Sequence, residues 1–177
     1  MVDLTERMVR AARLDSSLYE EVEHDKGALG QATAVVVLSS IAAGIGTVPT
    51  TGLRGIITGT VIALAGWYIW ALLIYFIGTK LLAGPDTQSD LREVLRTIGF
   101  SASPGILRVL GLIPGLRGAV FVIAGIWMLI AMVVAVKHAL DFRYTRWAVA
   151  VCLFAWWIQV LLAAIAFYFL AGEVLPT

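Results

Sequence analysis

The side chains that catalyse reactions or bind metals are few in this sequence and lie far apart. His24 and His138 are the two histidines and Cys152 is the single cysteine, so neither a histidine-rich nor a cysteine-based metal site is expected. Ser101 and Ser103 lie just before Pro104 in an apolar stretch, but no histidine or lysine accompanies them there as a base. Sequence motifs of hydrolases, metalloproteases and nucleotide-binding proteins are absent. The sequence therefore predicts a protein that is not an enzyme and has no catalytic residues, metal or cofactor.

One basic residue, Arg108, stands in an otherwise apolar segment, four positions after Pro104. Ionisable groups at membrane depth often mark ligand pathways, whereas an arginine near a helix end can extend its charge to the lipid interface. The interfacial interpretation is favoured, and contact with an anion or a lipid head group at the break stays open. Lys137 and His138 end a later apolar run and are expected to contact head groups. The candidate lipid or anion contacts are Arg108, Ser101, Ser103, Pro104, Lys137 and His138.

The composition places these residues in a membrane protein. Of 177 residues, 60% are hydrophobic and 14% are charged, and the mean hydropathy is +0.90. Soluble domains average about 45–50% apolar and about 25% charged residues. The twelve acidic residues all lie outside the long apolar runs. A net charge of +1 gives no reason to expect nucleic acid as a partner.

The first 27 residues differ from the rest because they are polar and amphipathic. They contain four basic and seven acidic residues and no apolar core of a signal peptide, so the first membrane helix must direct insertion. Hydrophobic residues recur at helical spacing, and Ser17 with Glu20 has the spacing of a capping box. A helix lying on the membrane bundle is favoured, and a partner-binding or membrane-surface helix stays open. We therefore divide the chain into a cytoplasmic amphipathic segment, 1–27, and a membrane domain, 28–177.

Five apolar stretches are candidates for membrane-spanning helices, since about 20 apolar residues cross a bilayer. The third is short, and Pro104 predicts a kink in it. Before it, the polar stretch 79–96 predicts an interfacial helix. Trp67 and Trp70 in the second stretch are interpreted partly as an interfacial aromatic belt and partly as core packing. The predicted fold is an all-α integral membrane protein, a five-helix transmembrane bundle with a short, kinked third helix and an N-terminal amphipathic helix; its spans are 28–48, 55–78, 97–114, 118–136 and 147–171.

The distribution of basic residues predicts the orientation. With five crossings, ten lysines and arginines fall on the side of the N-terminus and three on the other. Without the third crossing the distribution weakens to nine against four. Because basic residues concentrate on the cytoplasmic side, we expect a cytoplasmic N-terminus and an external C-terminus in the cell (inner) membrane.

Small residues at four-residue spacing predict close helix packing. Gly55, Gly59 and Ala63 lie on one face of the second span, and Ala131 and Ala135 on one face of the fourth. Such faces allow helix backbones to approach each other closely. Packing inside the bundle is favoured over dimerisation for the glycine pair.

Between residues 67 and 164 the order and spacing of several short motifs resemble the Yip1 family of small multi-pass membrane proteins. The motifs are Ile77-Gly78-Thr79-Lys80-Leu81-Leu82-Ala83-Gly84, Ile98-Gly99-Phe100-Ser101-Ala102-Ser103-Pro104, Ile113-Pro114, Gly125-Ile126-Trp127 and Val136-Lys137-His138-Ala139. The resemblance implies five membrane helices, a cytoplasmic N-terminus and no catalytic residues. It also implies kinship with eukaryotic proteins that act in vesicle traffic and bind small GTPases of the Rab type. Their longer cytosolic N-terminal region is mostly missing here, so the chain is more similar to the short prokaryotic members.

Two functions are therefore expected. The first is a non-enzymatic membrane interaction or scaffold protein, such as an accessory subunit of a larger membrane assembly or a membrane-organising protein. The alternative is a small transporter or lipid-handling protein that uses the broken third helix. The expected partners are membrane lipids and other membrane proteins, or a second copy of the chain in a homo-oligomer.

Overall fold

The computed structural model describes residues 3–83 and 89–174, with side chains described as far as residue 161. Every regular element in these ranges is helical, which confirms the all-α prediction. Gly84, which ends the first quoted motif, lies outside the described residues. The elements are α1 (Leu4–Ala12), α2 (Ser16–His24), α3 (Ala28–Thr51), α4 (Arg54–Phe76), a π-helical turn (Ile77–Leu81), α5 (Leu91–Phe100), a 3-10 helix (Ser103–Leu112), α6 (Arg117–Ala139) and α7 (Thr145–Val174).

Three of the described helices are long and apolar enough to cross a membrane. They are α3, α4 together with its π-helical turn, and α6, with lengths of 24, 28 and 23 residues and hydropathies of 1.8, 2.0 and 2.8. Segment Thr145–Leu161 of α7 is also apolar. These helices agree with an integral membrane protein, while the number of five crossings stays a prediction.

The third predicted span is not one kinked helix. Helix α5 ends at Phe100 and a separate 3-10 helix begins at Ser103, with Pro104 in its first turn. Proline has no backbone N–H and restricts the preceding residue, so it starts the new helix and does not bend the old one. The hydroxyl groups of Ser101 and Ser103 donate to the carbonyl groups of Ile98 (2.6 Å) and Phe100 (2.7 Å). The Ser103 hydroxyl group thus pairs the last carbonyl of α5, and the Ser101 hydroxyl group adds a second hydrogen bond to the Ile98 carbonyl, which also accepts from the Ser101 backbone N–H.

Helix α5 packs inside the bundle from Val94 onward, while the interfacial position expected for the stretch 79–96 stays a prediction. The helix begins with a capping box in which Asp90 accepts from the Glu93 backbone N–H and Glu93 accepts from the Asp90 backbone N–H, both at 2.8 Å. All residues of the stretch 94–100 are buried. The helix packs among α2, α3, α4 and α6.

Helix α5 and the 3-10 helix together follow α3 closely along most of its length. Glycines permit this approach, because a Cβ atom at Gly99 or Gly111 would lie less than 3.0 Å from a neighbouring atom. The contact partner on α3 advances from residue 32 to residue 46 as the chain advances, so the two segments run parallel over about 21 Å. The contact pairs are Gly99 with Ala32, Gly105 with Ser39, and Gly111 with Gly46.

The two N-terminal helices pack along α6 and α5. Leu18, Tyr19 and Val22 of α2 are fully buried. At one end of the contact, His138 lies 3.5 Å from Glu20. At the other, the Trp127 indole N–H donates to the carbonyl of Ala12 at 2.8 Å. The structure thus has α1 and α2 lying on the bundle, the favoured interpretation of the amphipathic stripe. The cap of α2 is Asp15, which accepts from the Ser17 backbone N–H, so the expected Ser17–Glu20 capping box is wrong.

Arg7 joins α1, α2 and α3 through its guanidinium group. Its side chain is buried and donates to Glu21 (2.7 Å), Asp25 (2.8 Å) and Gln31 (2.8 Å). Burial opposes its charge, but the hydrogen bonds to Asp25 and Glu21 outweigh burial and raise the pKa of Arg7. We call the group formed by Arg7, Arg10, Asp15, Glu21 and Asp25 the arginine cap.

Arg96 is a second buried arginine, and it fixes the end of α2 to α5. Its guanidinium group donates to the carbonyl of Val22 at 2.9 Å and also to the carbonyl of Glu23. These carbonyl groups belong to the last turn of α2, where no helical donors follow. A cation at a helix C-terminus also interacts favourably with the helix dipole.

Candidate ligand-binding cavity in the membrane region

A cavity of about 280 Å³ lies in the centre of the bundle and is partly open to its surface. Its lining comes from α3, α4, α5, the 3-10 helix, α6 and α7, and it lies near the middle of the three long helices. The side chains around it are mostly apolar, with a few polar groups. The lining residues are Val36, Ser39, Ser40, Ala63, Gly66, Trp67, Trp70, Ile98, Ser101, Ala102, Arg108, Met128, Met132 and Gln159.

Arg108 is the charged residue of this lining. Its Nε atom is buried and has no hydrogen-bond partner among the described residues. The guanidinium carbon lies 5.5 Å from the centre of the Phe121 ring, a cation–π contact. The described lining contains no carboxylate. The residue as a whole is half-buried, and a partly desolvated charge without an opposite charge is costly, so the protein alone leaves this guanidinium incompletely stabilised.

Two tryptophans of α4 line the same cavity and have indole donors without partners. The indole nitrogens of Trp67 and Trp70 are buried, and neither has a hydrogen-bond partner in the part of the chain that the structure describes. Within that part, these two atoms and Arg108 Nε are the buried side-chain nitrogen and oxygen atoms that lack a partner. Buried polar groups are normally hydrogen-bonded. All three exceptions belong to residues that line one cavity, and all three are donors.

Some of the remaining polar groups of the lining already form hydrogen bonds within the protein. Ser101 donates to the Ile98 carbonyl, as described above, and Ser40 donates to the Val37 carbonyl at 2.8 Å. Ser39 is buried beside Gly105 of the 3-10 helix. Gln159 supplies an amide from α7.

Close backbone packing fixes the position of Arg108. Gly46 of α3 packs against the Arg108 carbonyl so tightly that a Cβ atom there would overlap it. On the other side, a Cβ atom at Gly125 of α6 would lie 3.9 Å from Arg108 Nη2. The guanidinium group therefore lies beside α6 at an ordinary contact distance, and the 3-10 helix that carries it is held by α3.

The predicted contact residues divide between two places. Arg108 and Ser101 line the cavity, whereas Ser103 and Pro104 are buried in the adjoining turn and are not part of the lining. Lys137 and His138 lie at the far end of α6. The structure therefore brings together two of the six predicted contacts.

A second pocket, of about 440 Å³, lies where α2 meets the end of α6 and the loop after it. The His138 ring stacks on Tyr19, with ring centroids 6.3 Å apart. Burial and the nearby Asp141 carboxylate raise the pKa of Glu23 to about 7. His138 thus contacts α2 in the structure, while the expected head-group contacts of Lys137 and His138 stay predictions. The pocket is lined by Glu20, Glu23, His24, Lys137, His138, Asp141, Phe142 and Arg143.

The sequence profile of the Yip1 domain matches residues 16–168, which is most of the chain. The chain belongs to the Yip1 family. This match confirms the resemblance inferred from the motif order, and Yip1 proteins are non-enzymatic membrane proteins. No curated protein and no solved structure gives a significant match to the chain.

The described part of this Yip1 chain has no group of three histidine, cysteine, aspartate or glutamate residues arranged to hold a metal ion. Cys152 is a free cysteine on α7.

The predicted helix-packing residues fall in two environments. Ala131 and Ala135 of α6 are fully buried. On α4, a Cβ atom at Gly59 would meet no atom within 4 Å, and one at Gly55 would meet only Thr51 of the preceding turn. Ala63 lines the cavity. Among the residues whose side chains the structure describes, Gly59 thus has no neighbour, while Ala63 one turn later faces the cavity.

Sequence reasoning missed the donors of Trp67 and Trp70 and the structural roles of Arg7 and Arg96. The two tryptophans are three residues apart, so they share a helix face with Ala63 and Gly66, two small residues that leave room beside the rings. That combination of indole donors and small residues was the available signal. For Arg7 and Arg96 the sequence held no comparable signal, because their partners are 14 to 74 positions away.

Proposed function

We propose that this Yip1 protein is a non-enzymatic membrane interaction protein, an accessory subunit or organising component of a larger membrane assembly. The open face of α4 is the observation that carries this proposal. Where α3 meets the 3-10 helix, other residues of the chain occupy the space beside Gly46, Gly105 and Gly111. Gly59 has no neighbour among the side chains that the structure describes, although it also lies in an apolar helix. Small residues on a membrane helix allow close approach of another helix, so a partner helix fits here.

The residues around Gly59 support a partner within the bilayer. Ile62, one turn after Gly59 on α4, is 69% exposed and places apolar surface beside the glycine. Helix association in lipid depends on close packing, because lipid tails are as apolar as aliphatic side chains. Gly59 makes such packing available on a surface that is otherwise covered by large side chains.

Substitution of Gly59 by leucine tests the proposal. Because the space at Gly59 is open, Gly59→Leu leaves the single chain folded and blocks a helix that approaches there. The expected result is loss of the assembly in native mass spectrometry of protein extracted under mild conditions from its own membrane. Gly118→Leu is the matched control, since Gly118 is also open but lies at the start of α6. An assembly that persists with Gly59→Leu contradicts the role of this face.

The topology that accompanies this proposal has five crossings in the cell membrane, with the N-terminus in the cytoplasm and the C-terminus outside. Support comes from the parallel course of α3 and the α5/3-10 segment, which together cover the length of a third crossing. In a Cys152→Ala background, Ser17→Cys should react with an impermeant maleimide only after permeabilisation. Leu116→Cys should react in intact cells. The reverse pattern contradicts the orientation, and equal labelling of both contradicts the third crossing.

A second candidate function is transport or handling of a lipid, and the central cavity favours it. The cavity lies beside the break between α5 and the 3-10 helix, and its donors have no partners among the described residues. In reconstituted vesicles, Arg108→Ala should abolish flux or lipid movement while the protein remains folded. Unchanged flux in the variant contradicts this candidate.

A further inference from the structure

We infer that the central cavity binds the anionic oxygen group, phosphate or carboxylate, of an amphiphilic molecule. Arg108 and the indole N–H groups of Trp67 and Trp70 are its hydrogen-bond donors. This inference rests on the second candidate function and adds to it the chemical class of the ligand.

The charge of the cavity selects an anion. Arg108 is the charged group of the described lining, and a guanidinium remains protonated under all physiological conditions. Its planar group matches the geometry of a carboxylate or phosphate and can form two parallel hydrogen bonds with either. An anion would therefore offset the cost of burying this charge, whereas a cation would add to that cost.

The donors without partners select oxygen acceptors. The indole N–H and the guanidinium Nε–H can each donate a hydrogen bond, and neither can accept one. A ligand with several lone pairs on a small group satisfies all three, as phosphate and carboxylate oxygens do. A ligand that supplies only donors, such as an ammonium group, leaves them without partners.

The rest of the lining selects an amphiphile. Val36, Ile98, Met128 and Met132 are apolar and lie next to the donors. The cavity is also at mid-depth of the long helices, which a free ion reaches only by losing its hydration. A volume of about 280 Å³ accommodates a head group with a short part of an alkyl chain. The remaining chain can leave through the open side of the cavity into the bilayer.

Equilibrium binding of radiolabelled dodecyl phosphate tests the inference. The full-length protein is placed in nanodiscs of uncharged phosphatidylcholine, and binding to empty nanodiscs is subtracted. The expected result is saturable binding with one site per chain. Dodecanoate should compete for this site, and dodecyltrimethylammonium should not. Absence of saturable binding, or equal competition by the cationic amphiphile, would overturn the inference.

Matched variants connect the binding to the cavity. Arg108→Gln should weaken it by about tenfold or more, since it removes a charged donor. Arg54→Gln, an exposed arginine at the start of α4, should leave it unchanged. Trp67→Phe and Trp70→Phe, which remove one donor each, should weaken binding by about two- to fivefold, while Trp156→Phe on the surface should not. If Arg108→Gln fails to fold, the tryptophan pair decides, and unchanged binding in both variants overturns the inference.

Two further measurements distinguish a free anion from a lipid head group as the ligand, and distinguish failure of this inference from failure of the transport function. Competition by inorganic phosphate at the same site identifies a free anion as the ligand and overturns the amphiphile. Its failure to compete supports a lipid head group. Saturable binding without flux in vesicles supports the inference and removes transport. Flux without saturable binding keeps transport and overturns the inference.

Discussion

Two regions of the molecule place an arginine between packed helices, and the partners of the guanidinium group differ between them. In the arginine cap, Arg7 is 4% exposed, and its guanidinium group donates to two carboxylates and one amide. In the cavity, Arg108 faces a Phe121 ring and no described carboxylate, and its Nε has no described partner. The two arginines lie in one small bundle, so the difference does not come from the overall composition.

The comparison shows that this chain supplies protein partners where an arginine holds helices together. Arg96 agrees, since backbone carbonyl groups of α2 accept its hydrogen bonds. Arg108 holds no helices together through hydrogen bonds that the structure records. We therefore interpret the arginine cap as structural and the cavity as a place where a ligand supplies the acceptors.

The largest expected effect is loss of the arginine cap. Arg7→Met should lower the free energy of unfolding by about 3 kcal/mol, because it leaves two carboxylates without their buried partner. Equilibrium unfolding in detergent micelles, followed by circular dichroism during titration with a denaturing detergent, measures this change. Arg13→Met, an exposed arginine next to the same helix, is the control and should change it by less than about 0.5 kcal/mol. Equal effects of the two variants would contradict the structural role of Arg7 in the arginine cap.

The next effect concerns the packing that positions the cavity. A Cβ atom at Gly105 would overlap the Ser39 hydroxyl group and approach the sulfur of Met128. Gly105→Ala should therefore cost about 2 kcal/mol of unfolding free energy and weaken ligand binding as the 3-10 helix shifts. Gly118→Ala, at an open position, should alter neither quantity. A normal stability and affinity in Gly105→Ala would mean that α3 does not fix the position of Arg108.

A smaller effect depends on pH and concerns Glu23, beside the arginine cap. Its pKa rises from 4.5 to about 7 on folding, first because of burial and then because of Asp141. The folded state therefore holds this proton more tightly, so the stability it contributes is complete below pH 4.5 and is lost as the pH rises through 7. Glu23→Gln should remove this decline and add about 1.5 kcal/mol at pH 8.

Unfolding midpoints between pH 4 and pH 8 measure the change. Glu6→Gln, at an exposed carboxylate of α1, should keep the decline of the parent protein. A parallel decline in Glu23→Gln would assign the pH dependence to other groups.

The smallest expected effect is an increase in stability, and it distinguishes Arg108 from Arg7 most clearly. Arg108→Met should raise the stability of protein stripped of bound lipid by about 1 kcal/mol, since an apolar side chain replaces an incompletely paired charge. The same exchange at Arg54, which is exposed, should have no effect. Thermal unfolding of delipidated protein in micelles measures it. A loss of stability as large as that of Arg7→Met would show that Arg108 is structural as well.

The sequence predicted the helical fold and the family well, because long apolar runs and motif order are local features. It predicted the site only in part. Arg108 stood out as a charge in an apolar segment, and its mid-bundle position beside α3 could not be foreseen, because that position depends on glycine contacts between distant segments. The break at Pro104 was expected, but its form as two separate helices, α5 and the 3-10 helix, was not.

The most direct test of the ligand site is native mass spectrometry of the wild-type protein and the Arg108→Gln variant, both extracted under mild conditions from their own membrane. The proposed site predicts that the wild-type chain carries one anionic amphiphile that survives removal of the detergent. It also predicts that the variant, with the same circular dichroism spectrum, lacks this molecule. If both proteins carry the same molecules, or neither carries any, the cavity is not the binding site that we propose.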